Sequence, residues 1–175
     1  GVDDLILYDF AIHWFDFLAS LIDGPASLVF ATRARAREQR AKPPLLAQSL
    51  VEFEGGQAAL LFDGATRFGP QDRTIVTGTR GTLESRGPDL GQQQVTYSNA
   101  AGVSRPKLSG TWFNDGFAGA MGALLRAIET GKAPIHNGRD NLASLALAFA
   151  AIASSHRGVP VVPGSVRSLA DAMKR

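Results

Sequence analysis

The sequence predicts an α+β fold: an open, largely antiparallel (mixed) β-sheet with helices packed on one face. Three observations lead there. From about Ser27 to Lys107 the apolar residues alternate with a period of two, and the candidate strands follow one another with no helix between them. One stretch before this run and two after it carry apolar residues at helical spacing. The chain has 175 residues, 45% of them hydrophobic, which suits a single domain over 1–175 with its own core.

The first helix is expected from about Asp9 to Ile22, stopped by Gly24-Pro25. Six strands follow, over 28–36, 47–54, 58–66, 74–78, 82–86 and 94–99, with Gly55-Gly56 as a hairpin turn and Gly78 and Gly81 around another tight connection. In the strands, Phe30, Ala34, Val51, Phe53, Leu60, Phe62, Leu83, Val95 and Tyr97 are assigned to the helix-packed face. Val29, Ala31, Leu50 and Leu61, mixed with Arg33, Arg35, Glu52 and Asp63, fall on the open face, which suits self-association. A second helix runs from about Asn114 to Thr130, with Phe113, Phe117, Met121, Leu124, Leu125 and Ile128 as its apolar stripe and Gly131 as its C-cap. Gly116, Gly119, Ala120 and Ala123 give it a small-residue face that another backbone is expected to approach closely. The third helix runs from about Asp140, its N-cap, to His156, with Leu142, Leu145, Phe149 and Ile152 buried and Gly158 as its end. Val159–Val162 is expected to be extended, and the remainder to be a polar tail.

Composition excludes several classes. A net charge of +2 argues against nucleic acid or a membrane surface as partner. The absence of cysteine excludes disulfides and thiolate metal sites, and it suits a cytoplasmic location. The most apolar stretch, Leu142 to Ala153, is too short to span a bilayer.

The first helix carries the chemistry. Nearly every residue from Phe10 to Ile22 is apolar, so this helix is expected to be buried. Its polar residues Asp9, His13, Asp16 and Ser20 are spaced four, three and four apart and share one stripe. Polar groups on a buried helix need water, a polar partner or a ligand. Asp9 and His13 are spaced so that the carboxylate can orient or charge an acid/base imidazole. Two other readings stand beside this: Asp9 as a helix N-cap with His13 and Asp16 as structural groups, or Asp9, His13 and Asp16 as ligands of a metal ion. His136, His156 and the alternating Arg33, Arg35 and Arg37 read as structural or solvated groups.

The segment Asp9-Phe-Ala-Ile-His13-Trp-Phe-Asp16 resembles the D-x-G-x-H-x-x-D segment of the glucose–fructose oxidoreductase and inositol dehydrogenase family (Gfo/Idh/MocA), with Ala11 in place of the usual glycine. The blocks Trp112–Phe117, Ala127–Pro134, Asp140-Asn141-Leu142 and Ser154–Val161 follow in the order of that family's C-terminal domain. The resemblance implies an NAD(P)-dependent dehydrogenase acting on a sugar, polyol or cyclitol. His13 would be its acid/base, assisted by Asp9, with Asp16 and Trp112 touching substrate and no metal. It also implies that NAD or NADP is bound mainly by a separate N-terminal Rossmann domain. Neither a G-x-G-x-x-G turn nor the family's lysine is found here, and Lys42-Pro43 lies on the wrong side of the D-x-x-x-H segment to be that lysine. The chain alone is therefore expected to be inactive, and a homo-oligomer through the open sheet face is expected. A non-catalytic ligand-binding or assembly module of the same fold is the competing class.

Overall fold

The computed structural model of the protein describes residues 4–135 and 137–174; His136 lies outside them. The chain forms two compact units. One consists of Gly1–Ala65 with His136–Arg175, the other of Thr66–Ile135. The α+β class is borne out, with the strands divided between two antiparallel sheets rather than one.

The first unit opens with a π-helical segment (Leu5–Phe10) that runs into α1 (Ile12–Leu21). Strands β1 (Ala26–Ala34), β2 (Leu46–Phe53) and β3 (Gly56–Asp63) form a three-stranded antiparallel meander. The β2–β3 turn is tight because Gly55 takes φ +78°, a left-handed conformation that glycine adopts without steric cost. Helix α3 (Asn141–Arg157) lies across this sheet and beside α1, and the short α4 (Leu169–Ala172) packs on α3. Helix α3 ends where Gly158 takes φ +70°, as its glycine suggested. The tail is not wholly irregular, because Ser168 caps α4 through its hydroxyl.

The core lies between the sheet and the helices. Ile6, Leu7, Phe15 and Leu18 from the first segment meet Val29, Ala31, Ala47, Val51 and Phe62 from the sheet, and Leu147, Ala148, Ala151 and Ile152 from α3. This corrects the facing assigned to β1. Val29 and Ala31 point inward, Phe30 is half-buried and Ala34 exposed. The parity of β2 and β3 is as expected, with Val51 and Phe62 in and Leu50 and Leu61 out. The open face brings Phe30 opposite Leu50, and Leu50 opposite Ala59. The stripe on α3 also differs. Ser144, Leu147, Ala148, Ala151 and Ile152 are buried, whereas Leu142 is exposed. Alanine lets the helix approach the sheet closely, so small residues take the innermost positions.

The outer edge of β1 is covered. Val29 exchanges both backbone hydrogen bonds with Val161, at 2.9 and 2.8 Å, and the Ala31 amide donates to the buried Ser154 hydroxyl at 2.9 Å. These contacts occupy donors that would otherwise template another strand.

The second unit holds β4 (Asp72–Gly78), β5 (Gly81–Gly87), β6 (Gln94–Asn99) and β7 (Gly102–Ser104) in an up-and-down antiparallel sheet, followed by α2 (Trp112–Thr130). Strand β7 was not expected. At the start of α2 the Asp115 carboxylate accepts from the Thr111 amide and hydroxyl, which holds it below the usual carboxylate range. Gly131 ends the helix at φ +67°. Helix α2 was expected to be approached closely by another backbone on its small-residue face. Phe113, Phe117, Met121, Leu125 and Ile128 are exposed, and among the described residues nothing lies within 4 Å of where a Cβ would stand on Gly116 or Gly119.

Ile152→Ala is expected to cost about 2–5 kcal/mol, because its side chain is wholly buried between α3 and the sheet. Leu61→Ala, at 76% exposure on the open face, is expected to change stability by no more than about 0.5 kcal/mol. Urea denaturation of the two variants checks the facing of the sheet.

Candidate active site

The first helical segment buries one side only. Phe15, Leu18, Ala11, Ile6 and Leu7 enter the core, while Phe10, Phe17 and Leu21 remain about half exposed. Asp9, His13, Asp16 and Ser20 all lie on this exposed side. The expectation of an all-round buried helix is corrected accordingly. An apolar residue in a helix sequence records a demand for cover, which this chain's own core meets for only half of them.

Asp9 is not an N-cap, because it lies within the π-helical segment and Ala11 precedes α1. No hydrogen bond joins Asp9 to His13, and neither side chain has a hydrogen-bond partner among the described residues. The π-helical turn accounts for the gap, since an i,i+4 pair superimposes along an α-helix but not along a wider turn. The His13 imidazole stands edge-on to Trp14, with ring centroids 6.2 Å apart. Trp14 in turn packs on Phe10 at 4.6 Å and Phe62 at 6.0 Å, so an aromatic group supports the helix face beside the imidazole.

Asp16 has a partner of its own. Its Oδ1 accepts from the Ser144 hydroxyl at 2.5 Å and from the Asn141 side-chain amide at 3.2 Å, both on α3. Its Oδ2 has no partner among the described residues. Ser20 is satisfied locally by donating to the Phe17 carbonyl at 2.7 Å. Trp112 begins α2 in the second unit and is exposed. No group of three or more His, Asp or Glu side chains that could hold a metal ion occurs among the described residues.

The most buried charged group lies elsewhere and was missed. Asp4 is 1% exposed. Its carboxylate accepts from Arg33 of β1, and His156 Nε2 of α3 lies 3.0 Å from its Oδ2. Arg33 Nη2 lies 3.0 and 2.7 Å from the two ring nitrogens of His156. Arg33 is therefore not on a solvated sheet face. It shares the inward parity of Val29 and Ala31 and reaches a buried acid. The available signal was this parity together with an acid at the start of the apolar run Leu5-Ile6-Leu7. Arg35 differs, since it closes the following loop by donating to the Gln39 and Ala41 carbonyls.

The second unit has an open cavity of about 750 Å³ lined by Asp72, Arg73, Arg86 and Gln92–Gln94 among others. Burial raises the Asp72 carboxyl above its ordinary range, the Asp89 charge adds to this, and a hydrogen bond from Gln93 opposes it. No helix among the described residues is long and apolar enough to cross a membrane.

Residues 3–84 match the family model for the GFO/IDH/MocA C-terminal domain, which bears out the resemblance read from the sequence over that stretch. No curated protein matches the chain. Among solved structures, an oxidoreductase from Agrobacterium radiobacter in complex with NAD+, L-tartaric acid and magnesium is 23% identical, with a TM-score of 0.77 over 94% of this chain and 51% of its own. The aldose–aldose oxidoreductase from Caulobacter crescentus, complexed with glycerol, is 20% identical, with a TM-score of 0.72 over 89% of this chain and 47% of its own. The WlbA dehydrogenase from Bordetella pertussis, in complex with NADH and UDP-GlcNAcA, is 19% identical, with a TM-score of 0.66 over 90% of this chain and 44% of its own. The fold is thus shared with these oxidoreductases, and the chain spans about half the length of each.

Arg33→Met is expected to cost about 3–5 kcal/mol, because it leaves the Asp4 carboxylate buried without its cation. Arg37→Met, on an exposed side chain, is expected to stay within about 0.5 kcal/mol. Equilibrium unfolding of the two variants separates the paired arginine from a solvated one.

Proposed function

We propose that this chain, with a GFO/IDH/MocA C-terminal domain match over residues 3–84, is the substrate-binding part of an NAD(P)-dependent oxidoreductase. The reaction transfers hydride between nicotinamide and a hydroxyl or carbonyl carbon of a sugar, polyol or cyclitol. One observation carries the reading: His13 is an exposed imidazole with no hydrogen-bond partner among the described residues, set on a helix face where Phe10, Phe17 and Leu21 also remain half exposed. A group left free on an apolar, aromatic-backed face is available for proton transfer once that face is covered.

The chain has no glycine-rich strand–helix turn to hold a pyrophosphate, so dinucleotide binding is assigned mainly to a separate N-terminal domain. The nicotinamide, when bound, takes or supplies the hydride. His13 takes the substrate hydroxyl proton at a ring nitrogen in the oxidative direction and returns it in the other. Asp9, on the same exposed side of the segment, assists His13, as the family resemblance implies. Asp16 keeps Oδ1 on Ser144 and offers Oδ2 to a substrate hydroxyl. Trp112, exposed on the second unit, offers an indole N–H and a ring face to a substrate. A cytoplasmic location and the absence of nucleic-acid and membrane partners belong to the same reading.

The open face of β1–β3, with Phe30, Leu50 and Leu61 beside Glu52 and Asp63, is assigned to a homo-oligomer contact. The competing reading is a non-catalytic ligand-binding or assembly module. The missing Asp9–His13 hydrogen bond is the observation in its favour.

In the full-length protein, His13→Ala is expected to lower kcat by about 10² to 10⁴ with the fold retained, and Asp9→Asn by less. Near-normal turnover by His13→Ala selects the non-catalytic module. Calorimetry of the chain alone with NAD and NADP is expected to show no submicromolar binding. Sedimentation is expected to show an oligomer that Leu50→Glu and Leu61→Arg dissociate.

A further inference from the structure

We propose that two polar clamps to α3 set the register of the segment that carries Asp9 and His13, making Asp4, Arg33, His156, Asp16 and Ser144 positioning residues for the imidazole. The bearing of this on catalysis rests on the role of His13 given above; the clamps themselves do not.

Apolar packing alone leaves the register weakly defined. The face that α3 presents to the core is built largely from Ala148, Ala150, Ala151 and Ala153, with Leu147 and Ile152. Alanine methyl groups make a shallow surface and apolar contact is non-directional, so the buried Leu7, Phe15 and Leu18 fix which side of the segment faces inward more firmly than they fix its position along α3. Hydrogen-bonded charges are directional, and burial makes their loss expensive.

The clamps stand at opposite ends of the contact. At one end the buried Asp4 carboxylate meets Arg33 and His156, in the last turn of α3. At the other end Asp16 accepts from Ser144 and Asn141, in the first turn of α3. Twelve residues separate the two acids, and twelve separate His156 from Ser144, in the opposite chain direction. The two segments are thus tied antiparallel at matched positions, and Asp9 and His13 lie between the ties.

Two features make the ties necessary. The Asp9 and His13 side chains have no hydrogen-bond partner among the described residues, so they inherit their placement from the backbone. Part of that backbone is a π-helical turn, in which the Ala11 amide donates to the Ile6 carbonyl at 2.9 Å. Such turns are rare and need tertiary support to persist. Asp4 anchors the start of this one, and its own carbonyl accepts from the Tyr8 amide at 2.8 Å.

The test reads His13 directly, by the NMR signals of its imidazole in this chain. Asp16→Asn with Ser144→Ala releases one clamp. Asp4→Asn with Arg33→Met releases the other while leaving no unpaired buried charge. Val51→Ala is the control, a core loss on β2 that touches neither clamp. Both clamp variants are expected to shift or broaden the His13 ring signals and to raise amide exchange across residues 5–16 by about tenfold or more. Val51→Ala is expected to lower the melting temperature with the His13 signals in place. Unmoved His13 signals in the clamp variants would overturn the proposal. So would signals that move in all three variants in proportion to lost stability, since the clamps would then be ordinary structural contacts. Retained turnover in His13→Ala overturns the proposed function instead, and leaves the NMR result standing.

Discussion

Keeping the Asp4 carboxylate out of water is the constraint on which most of the first unit depends. A buried acid needs a cation and further hydrogen-bond donors, and among the described residues these come from far along the chain. Arg33 comes from β1 and His156 from the end of α3, so one side chain draws together the opening segment, the sheet and the long helix. The pairing also decides which way β1 faces. If Arg33 reaches inward, period two places Ala31 and Val29 inward as well and turns Phe30 and Thr32 outward. The composition of the open sheet face is in this sense a consequence of one acid near the start of the chain.

The arrangement also separates structural charge from available charge. Asp4, Arg33 and His156 satisfy one another, and Asp16 is half occupied by α3. Asp9 and His13 are left without hydrogen-bond partners among the described residues, on the outer side of the same segment. Ordering a helix against a core and leaving its titratable groups unused are compatible because the π-helical turn and α1 present opposite faces to the two environments.

Much of this was legible in the residues, and the exceptions have physical causes. Helix ends were readable because Gly131 and Gly158 occupy left-handed positions that other residues resist. The β2–β3 hairpin was readable for the same reason at Gly55. The facing of β1 was misread because Val29, Phe30 and Ala31 are all apolar, and alternation carries no information where both faces are. The stripe on α3 was misread because alanine and serine fill its innermost positions, while hydropathy favoured Leu142. The polar stripe Asp9–His13–Asp16 was found by α-helical spacing, yet the π-helical turn breaks the hydrogen bond that spacing implied. Asp4 went unread because its partners lie 29 and 152 residues away, beyond any local pattern.

The first unit is assembled from two stretches of chain that flank the second. This ordering has a consequence during synthesis. Strands β1–β3 leave the ribosome well before α3 exists to cover them, with residues 66–135 still to be made. At about 5–20 residues per second that interval lasts on the order of 4–14 s. Throughout it the face of β1 that α3 covers is open to solvent, the outer edge of β1 has neither Val161 nor Ser154 to occupy it, and the Asp4 acid has only one of its two partners. The nascent chain is therefore sticky for seconds, long compared with the microseconds in which a hairpin forms. Holdase chaperones have their opening in that window, and a circular permutant that begins at α3 would close it.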